Sequence, residues 1–301
     1  MERRRKVSQI ISTLIINSNW TFLWKGPPIF QGWSKRICSP GLNCYSCPAA
    51  ITACPIGGLQ NFLASIRINI APVGMRFGAY VLGTLALIGS IMGRLPCSWL
   101  CPFGLIQELL YRMPVPKISM KKWFRAGPYI FLGLFVIVLP ILVVDATGYG
   151  STWFCKYVCP AGTLEAGIPL LTLNSNLRRA AGWLFVNKLV VLIAISVWCM
   201  VTMRAFCRAI CPLGAIFGLF NRISWLQLNF DPSRCVGCRA CKTACPSDIS
   251  FYNGEDSINS TACIRCMRCH SICPVNAVSL SFGPCLKTPD KEQAGIDIKA
   301  P

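Results

Sequence analysis

The stretch CSWLCPFG (97–104) recurs as CKYVCPAG (155–162) and CRAICPLG (207–214), so one chain carries C-x3-C-P-x-G three times. Each copy lies beyond a long apolar run. Proline at a first helical position, with glycine two residues later, suits a helix start. Each cysteine pair is therefore expected where a new helix opens. There the free amides and the positive helix end favour an anion. Two cysteines make only half of a four-thiolate site, so the fold must bring half-sites together.

The 301 residues include 20 cysteines. Disulfide scaffolds are usually shorter than ~100 residues, and grouped C-x2-C and C-x3-C spacings point instead to metal or cluster ligation. Apolar residues make up 53% and charged residues 14%, too apolar for an average soluble domain. The net charge is +19, yet the basic residues sit beside apolar runs, which argues against nucleic-acid binding. His270 is the one histidine, so a haem with two axial histidines has no place here. MERRRK ahead of VSQIISTLIINSNWTFLW lacks a small-residue cleavage site and reads as a signal anchor.

Four apolar segments, 7–24, 73–93, 127–145 and 183–203, approach the ~20 residues needed to cross a bilayer core. The expected fold is a mainly α membrane protein. A four-span transmembrane helix bundle with an internal repeat occupies residues 1–225, and a small α+β ferredoxin domain occupies 226–285. Residues 286–301 are expected to form a loose tail. The loop 94–125 holds six basic residues in 32, against nine in the 96 residues of loops 25–76 and 145–188. The denser side, with both termini and the ferredoxin domain, is expected to face the cytoplasm of a prokaryotic cell.

CVGCRACKTACP (235–246) and CIRCMRCHSICP (263–274) are each C-x2-C-x2-C-x3-C-P. That run holds two 4Fe–4S clusters, the fourth cysteine of each run serving the other cluster. The expected sets are Cys235, Cys238, Cys241 with Cys273, and Cys263, Cys266, Cys269 with Cys245. Eight cysteines in this double pattern exceed what a zinc site needs. His270 is read as a bystander, and Cys199 and Cys285 receive no role.

A fourth C-P-x-G starts at Cys54 within CSPGLNCYSCPAAITACPIGG. The four sites begin at 54, 101, 159 and 211, with 105 residues from first to third and 110 from second to fourth. This spacing suggests a duplication in which the second and fourth sites pair on the cytoplasmic side, and the first and third on the far side. One cubane is expected on Cys97, Cys101, Cys207 and Cys211. Another is expected on Cys54, Cys155 and Cys159 with Cys47. Cys38 and Cys44 remain, either as further ligands or as a redox dithiol. The total is three to four 4Fe–4S clusters, with room for a fifth.

The basic N-terminus, GLNCYSCP…CPIG, GRLPCSWLCPFGLIQELL, the later C-x3-C-P and the double ferredoxin run together resemble the NapH/NosR/CcoG-type membrane polyferredoxins over residues 3–280. The resemblance implies electron transfer at a membrane, between a quinol pool or cytoplasmic donor and an extracytoplasmic reductase or maturation system. It carries the family's paired positions to Cys97, Cys101, Cys207 and Cys211. The far-side set departs from the family pattern. Three readings stay open: a conduit from a cytoplasmic donor to an extracytoplasmic or membrane-bound oxidoreductase; a disulfide reductase or quinol dehydrogenase subunit; and a redox sensor or maturation factor. No G-x-G-x-x-G follows a strand, so NAD(P)H is not expected on this chain, while a flavoprotein subunit is a compatible partner.

Overall fold

Every C-P-x-G starts a helix. Cys54, Cys101, Cys159 and Cys211 are the capping residues, and a proline follows each at the first helical position. Proline has no amide to leave unpaired there.

The computed structural model describes residues 1–24, 29–67 and 72–283; Cys285 and the expected tail 286–301 lie outside the described residues. Helix α1 is Glu2–Ile16. Then come α2 (Pro55–Ser65), α3 (Pro72–Met92), α4 (Leu95–Trp99) and α5 (Pro102–Leu110). Helix α6 is Lys122–Leu142. Pro160–Gly162, Thr163–Gly167 and Ile168–Leu173 run on as one helix, α7. Helices α8 (Trp183–Val201), α9 (Ala205–Ala209) and α10 (Pro212–Phe220) complete this part. The short helices α2, α5 and α7, each opened by C-P-x-G, alternate with the longer apolar α3, α6 and α8.

Helices α6 and α8 are long and apolar enough to cross a membrane, with mean hydropathy 1.9 and 2.3. Helix α3, at 21 residues, contains the apolar stretch Arg76–Met92. The expected span 7–24 is not formed as such: α1 starts earlier and ends at Asn17, whose side-chain amide donates to the Thr13 carbonyl at 3.1 Å. Asparagine competes locally for backbone partners, which stops the helix.

One hydrophobic core runs from Leu42 to Phe217 and includes Cys54, Cys97, Cys101, Cys159, Cys207 and Cys211 among Ile56, Phe103, Phe154, Phe206 and Phe217. A second core, from Leu226 to Val278, underlies an antiparallel pair of strands, β1 (Leu226–Phe230) and β2 (Val278–Phe282), with Leu228 opposite Leu280. Two short helices, α11 (Ala240–Ala244) and α12 (Arg268–Ile272), pack against each other there.

A buried ion-pair network locks the first part. Glu108 on α5 accepts from both terminal nitrogens of Arg5 at 2.6 and 2.7 Å, and from Arg204 Nη2 and Nε at 2.6 and 2.8 Å. Burial by itself would raise the Glu108 carboxyl; the two guanidiniums overcome that and hold it at about 2. Glu108→Gln leaves two buried cations short of a partner and is expected to cost about 3–5 kcal/mol, read as a lowered Tm. The carboxylate's contribution is full above its ordinary value of 4.5 and is lost as pH falls towards 2.

Candidate metal centres

In the smaller part the two cysteine runs adopt one backbone path twice. Gly237 (φ 68°) and Arg239 (φ 57°) match Arg265 (φ 51°) and Met267 (φ 60°). Asp248 (φ 53°) and Asn276 (φ 50°) match three residues beyond the fourth cysteines. Left-handed backbone costs a non-glycine residue roughly 1–2 kcal/mol, so its recurrence at matched places marks a path the site requires. These curls leave two small cavities. Cys245, Cys263, Cys266 and Cys269 face the first. Cys235, Cys238, Cys241 and Cys273 face the second. Each cavity therefore takes three cysteines from one run and one from the other. His270 lines neither; its Nδ1 donates to the Val278 carbonyl at 2.6 Å.

Inside the larger core, Cys97, Cys101, Cys207 and Cys211 come together. Burial raises the Cys101 thiol to about 12, and neighbouring Cys207 and Cys97 add to the rise. Cys211 is raised by burial and then by Cys207, Cys97 and Cys101. The two half-sites clamp each other. Arg94 Nη2 donates to the Cys207 carbonyl at 2.6 Å, and Arg204 Nη1 to the Cys97 carbonyl at 2.8 Å. A Cβ on Gly214 would lie 2.6 Å from Arg94, and one on Gly104 would lie 3.0 Å from the Cys97 carbonyl and 3.6 Å from Arg204. Gln107 adds a bond from Nε2 to Cys207 Sγ at 3.0 Å.

Charge tests whether an anionic cluster fits. Among the described residues Arg5, Arg94, Arg204, Arg208 and Arg265 are buried, against one buried carboxylate, Glu108. Arg94 bonds only to carbonyls, and its Nε is unpartnered. Burial lowers the Arg265 guanidinium to about 10. Buried cations without anions are costly. An oxidised cubane with four thiolates carries about −2, so one in each neighbouring thiol site supplies the missing charge. Among the described residues no three His, Cys, Asp or Glu groups close on one point as an ion's ligands do.

The two parts are stitched at this charged zone. Ser98 Oγ and Trp99 Nε1 donate to the Arg265 carbonyl at 3.3 and 3.2 Å. Cys97 and Cys266 are thus next in sequence to residues joined by one hydrogen bond. Arg125 and Asp256 pair at 2.9 Å across the same junction, and Arg268 and Glu2 at 3.0 Å.

On the far side Cys44 lies beside Cys54, Cys155 and Cys159. Cys47 turns to Asn17 Oδ1 at 3.9 Å and packs on Ala49 and Ala50, because the end of α1 captures it. Cys38 makes a parallel bridge with Ala53 and donates its amide to Tyr80 Oη at 3.2 Å. Every described cysteine is a free thiol. Sequence reading missed Arg94, Arg204, Gln60, Gln107 and Glu165. The signal was present: arginine three residues before Cys97 and Cys207, and glutamine or glutamate six residues after Cys54, Cys101 and Cys159.

Residues 227–274 match the 4Fe-4S dicluster domain family. Residues 74–121, 131–168 and 185–231 match the 4Fe-4S binding domain family. An uncharacterized protein of Methanocaldococcus jannaschii is 31% identical over 205 residues, 66% of this chain and 76% of that one. A second from the same organism is 29% identical over 75% and 77% of the two chains. The methylamine utilization ferredoxin-type protein MauN of Methylobacillus flagellatus is 24% identical over 56% and 57%. No solved structure matches. The chain belongs to the polyferredoxin-type family of 4Fe–4S proteins and carries several such clusters.

Arg94→Met is expected to destabilise the iron-loaded protein by about 1–3 kcal/mol more than the chelator-stripped chain, because the guanidinium's buried charge is offset only beside an anion. Paired thermal melts of the two forms check this.

Proposed function

We propose that this protein is a membrane electron-transfer subunit linking a cytoplasmic donor to a membrane or extracytoplasmic oxidoreductase. When bound, 4Fe–4S clusters supply reversible one-electron storage. The observation that carries the reading is the meeting of Cys97 and Cys101 with Cys207 and Cys211 inside the apolar core, one hydrogen bond from the cavity of Cys245, Cys263, Cys266 and Cys269. The eight ferredoxin-run cysteines hold two clusters in the crosswise sets, and the four core cysteines hold a third. The surrounding apolar residues exclude water from the core site. Arg94 and Arg204 fix its cysteine carbonyls and balance its charge.

The apolar helices α6 and α8 favour a membrane setting, in which α3 and α1 complete a bundle of four. The basic loop 94–125 favours placing the ferredoxin part in the cytoplasm. Cys238 is exposed beside the outer cavity, so a soluble donor meets the protein there. A flavoprotein subunit is one donor with suitable one-electron chemistry.

Iron and sulfide counts on anaerobically purified protein test the reading. At least about twelve irons per chain are expected, and about eight would reduce the protein to a tethered two-cluster module. Cys245→Ser is expected to remove about four irons and one cluster's spectroscopic signal, leaving the set completed by Cys273 intact. Liposomes with a reductant on one side and an acceptor on the other should show flux that Cys97→Ser abolishes.

A further inference from the structure

The remaining buried thiols are not leftovers of the duplication. We propose that Cys44, Cys54, Cys155 and Cys159 form a further four-thiolate site, beyond the core site, that holds a 4Fe–4S cluster. This deepens the reading above and rests on it only for the kind of occupant.

The first support is a matched pattern of amide acceptors. In the core site Gln107 lies six residues after Cys101, and its Oε1 accepts from the amide of Cys207, the first cysteine of the partner C-x3-C, at 3.5 Å. Gln60 lies six residues after Cys54, and its Oε1 accepts from the amide of Cys155, again the first cysteine of the partner pair, at 3.2 Å. Glu165 lies six residues after Cys159, and its Oε2 accepts from the amide of Cys44 at 2.7 Å. Cys44 therefore stands where the first cysteine of a C-x3-C would stand, with a longer loop to Cys54 in place of the three-residue spacer. No such partner reaches the Cys47 amide, which donates to the Cys44 carbonyl at 3.0 Å.

Contacts and burial agree with that placement. Cys44 Sγ lies 3.6 Å from where a Cβ on Gly162 would be, and Gly162 is the glycine of Cys159's own C-P-x-G. Cys54 and Cys159 share the core with the other buried thiols. Asn43 is fully buried, yet among the described residues neither its side-chain oxygen nor its side-chain nitrogen has a partner. A buried amide with both ends free calls for a polar neighbour beyond those residues.

GLNC (41–44) also joins the two sites. The Leu42 amide donates to Cys101 Sγ at 3.4 Å, and Cys44 follows two residues later. One strap therefore touches a ligand of the core site and supplies a ligand of the further one. This gives the motif a purpose that the ferredoxin runs and the core pairs leave unexplained.

The test is metal and sulfide analysis of the full chain purified without oxygen, with Mössbauer and EPR spectra. About sixteen irons per chain are expected, falling to about twelve in Cys44→Ser with the other clusters' signals unchanged, while Cys47→Ser keeps the full count. Cys155→Ser carries the same expectation should Cys44→Ser fail to fold. A wild-type count of about twelve irons, one zinc per chain, or iron loss in Cys47→Ser but not in Cys44→Ser overturns the assignment. A wild-type count of about eight removes the proposed function itself, so the two failures are distinguishable.

Discussion

Buried charge is the constraint on which the structure turns. An apolar core holds guanidiniums that outnumber its carboxylates, and beside them lie thiols that burial pushes towards the neutral state. Neither set is comfortable without the other's charge. Deprotonated thiolates on an electron-rich cluster supply the anion, and the guanidiniums supply the field that keeps it ionised. Arg5 and Arg204 meet part of the excess through Glu108, which also draws α1 onto α5. Among the described residues Arg94 and Arg265 pair with no carboxylate, and they flank the junction between the two parts.

The C-P-x-G motif solves a second problem, which is how to carry thiols into a core without unpaired backbone. The cysteine sits at the N-cap of its own helix, and proline removes one orphan amide. Glycine is needed because the partner half-site approaches its Cα, as Arg94 does at Gly214. Two half-sites from distant parts of the chain then close on one another through reciprocal arginine-to-carbonyl bonds. The ferredoxin part repeats the strategy on a smaller scale, pairing two runs 28 residues apart through matched left-handed turns.

Local signals were the legible ones. The double cysteine run specifies both cavities because each run's turns are set within a dozen residues. The start of α5 at Pro102 and of α10 at Pro212 follows from the motif alone. The N-terminal segment was harder. Its apolar residues continue past Asn17, but the helix does not, and its inward face is built of Arg5 and Gln9 rather than of leucines. Hydropathy averages such a segment and cannot see that a buried arginine has found a carboxylate 103 residues away.

By itself the sequence determined the family and the helix starts at the C-P-x-G cysteines, because both are written in short-range spacing. Tertiary structure alone decided which thiols meet in space. Cys44 and Cys47 lie three residues apart in one irregular loop, and no periodicity says which of them turns inward. Glu165 and Gly162, more than 100 residues away, place Cys44 with Cys159, while Asn17 at the end of α1 holds Cys47 aside. A loop has no repeating face of its own, so long-range partners choose its orientation.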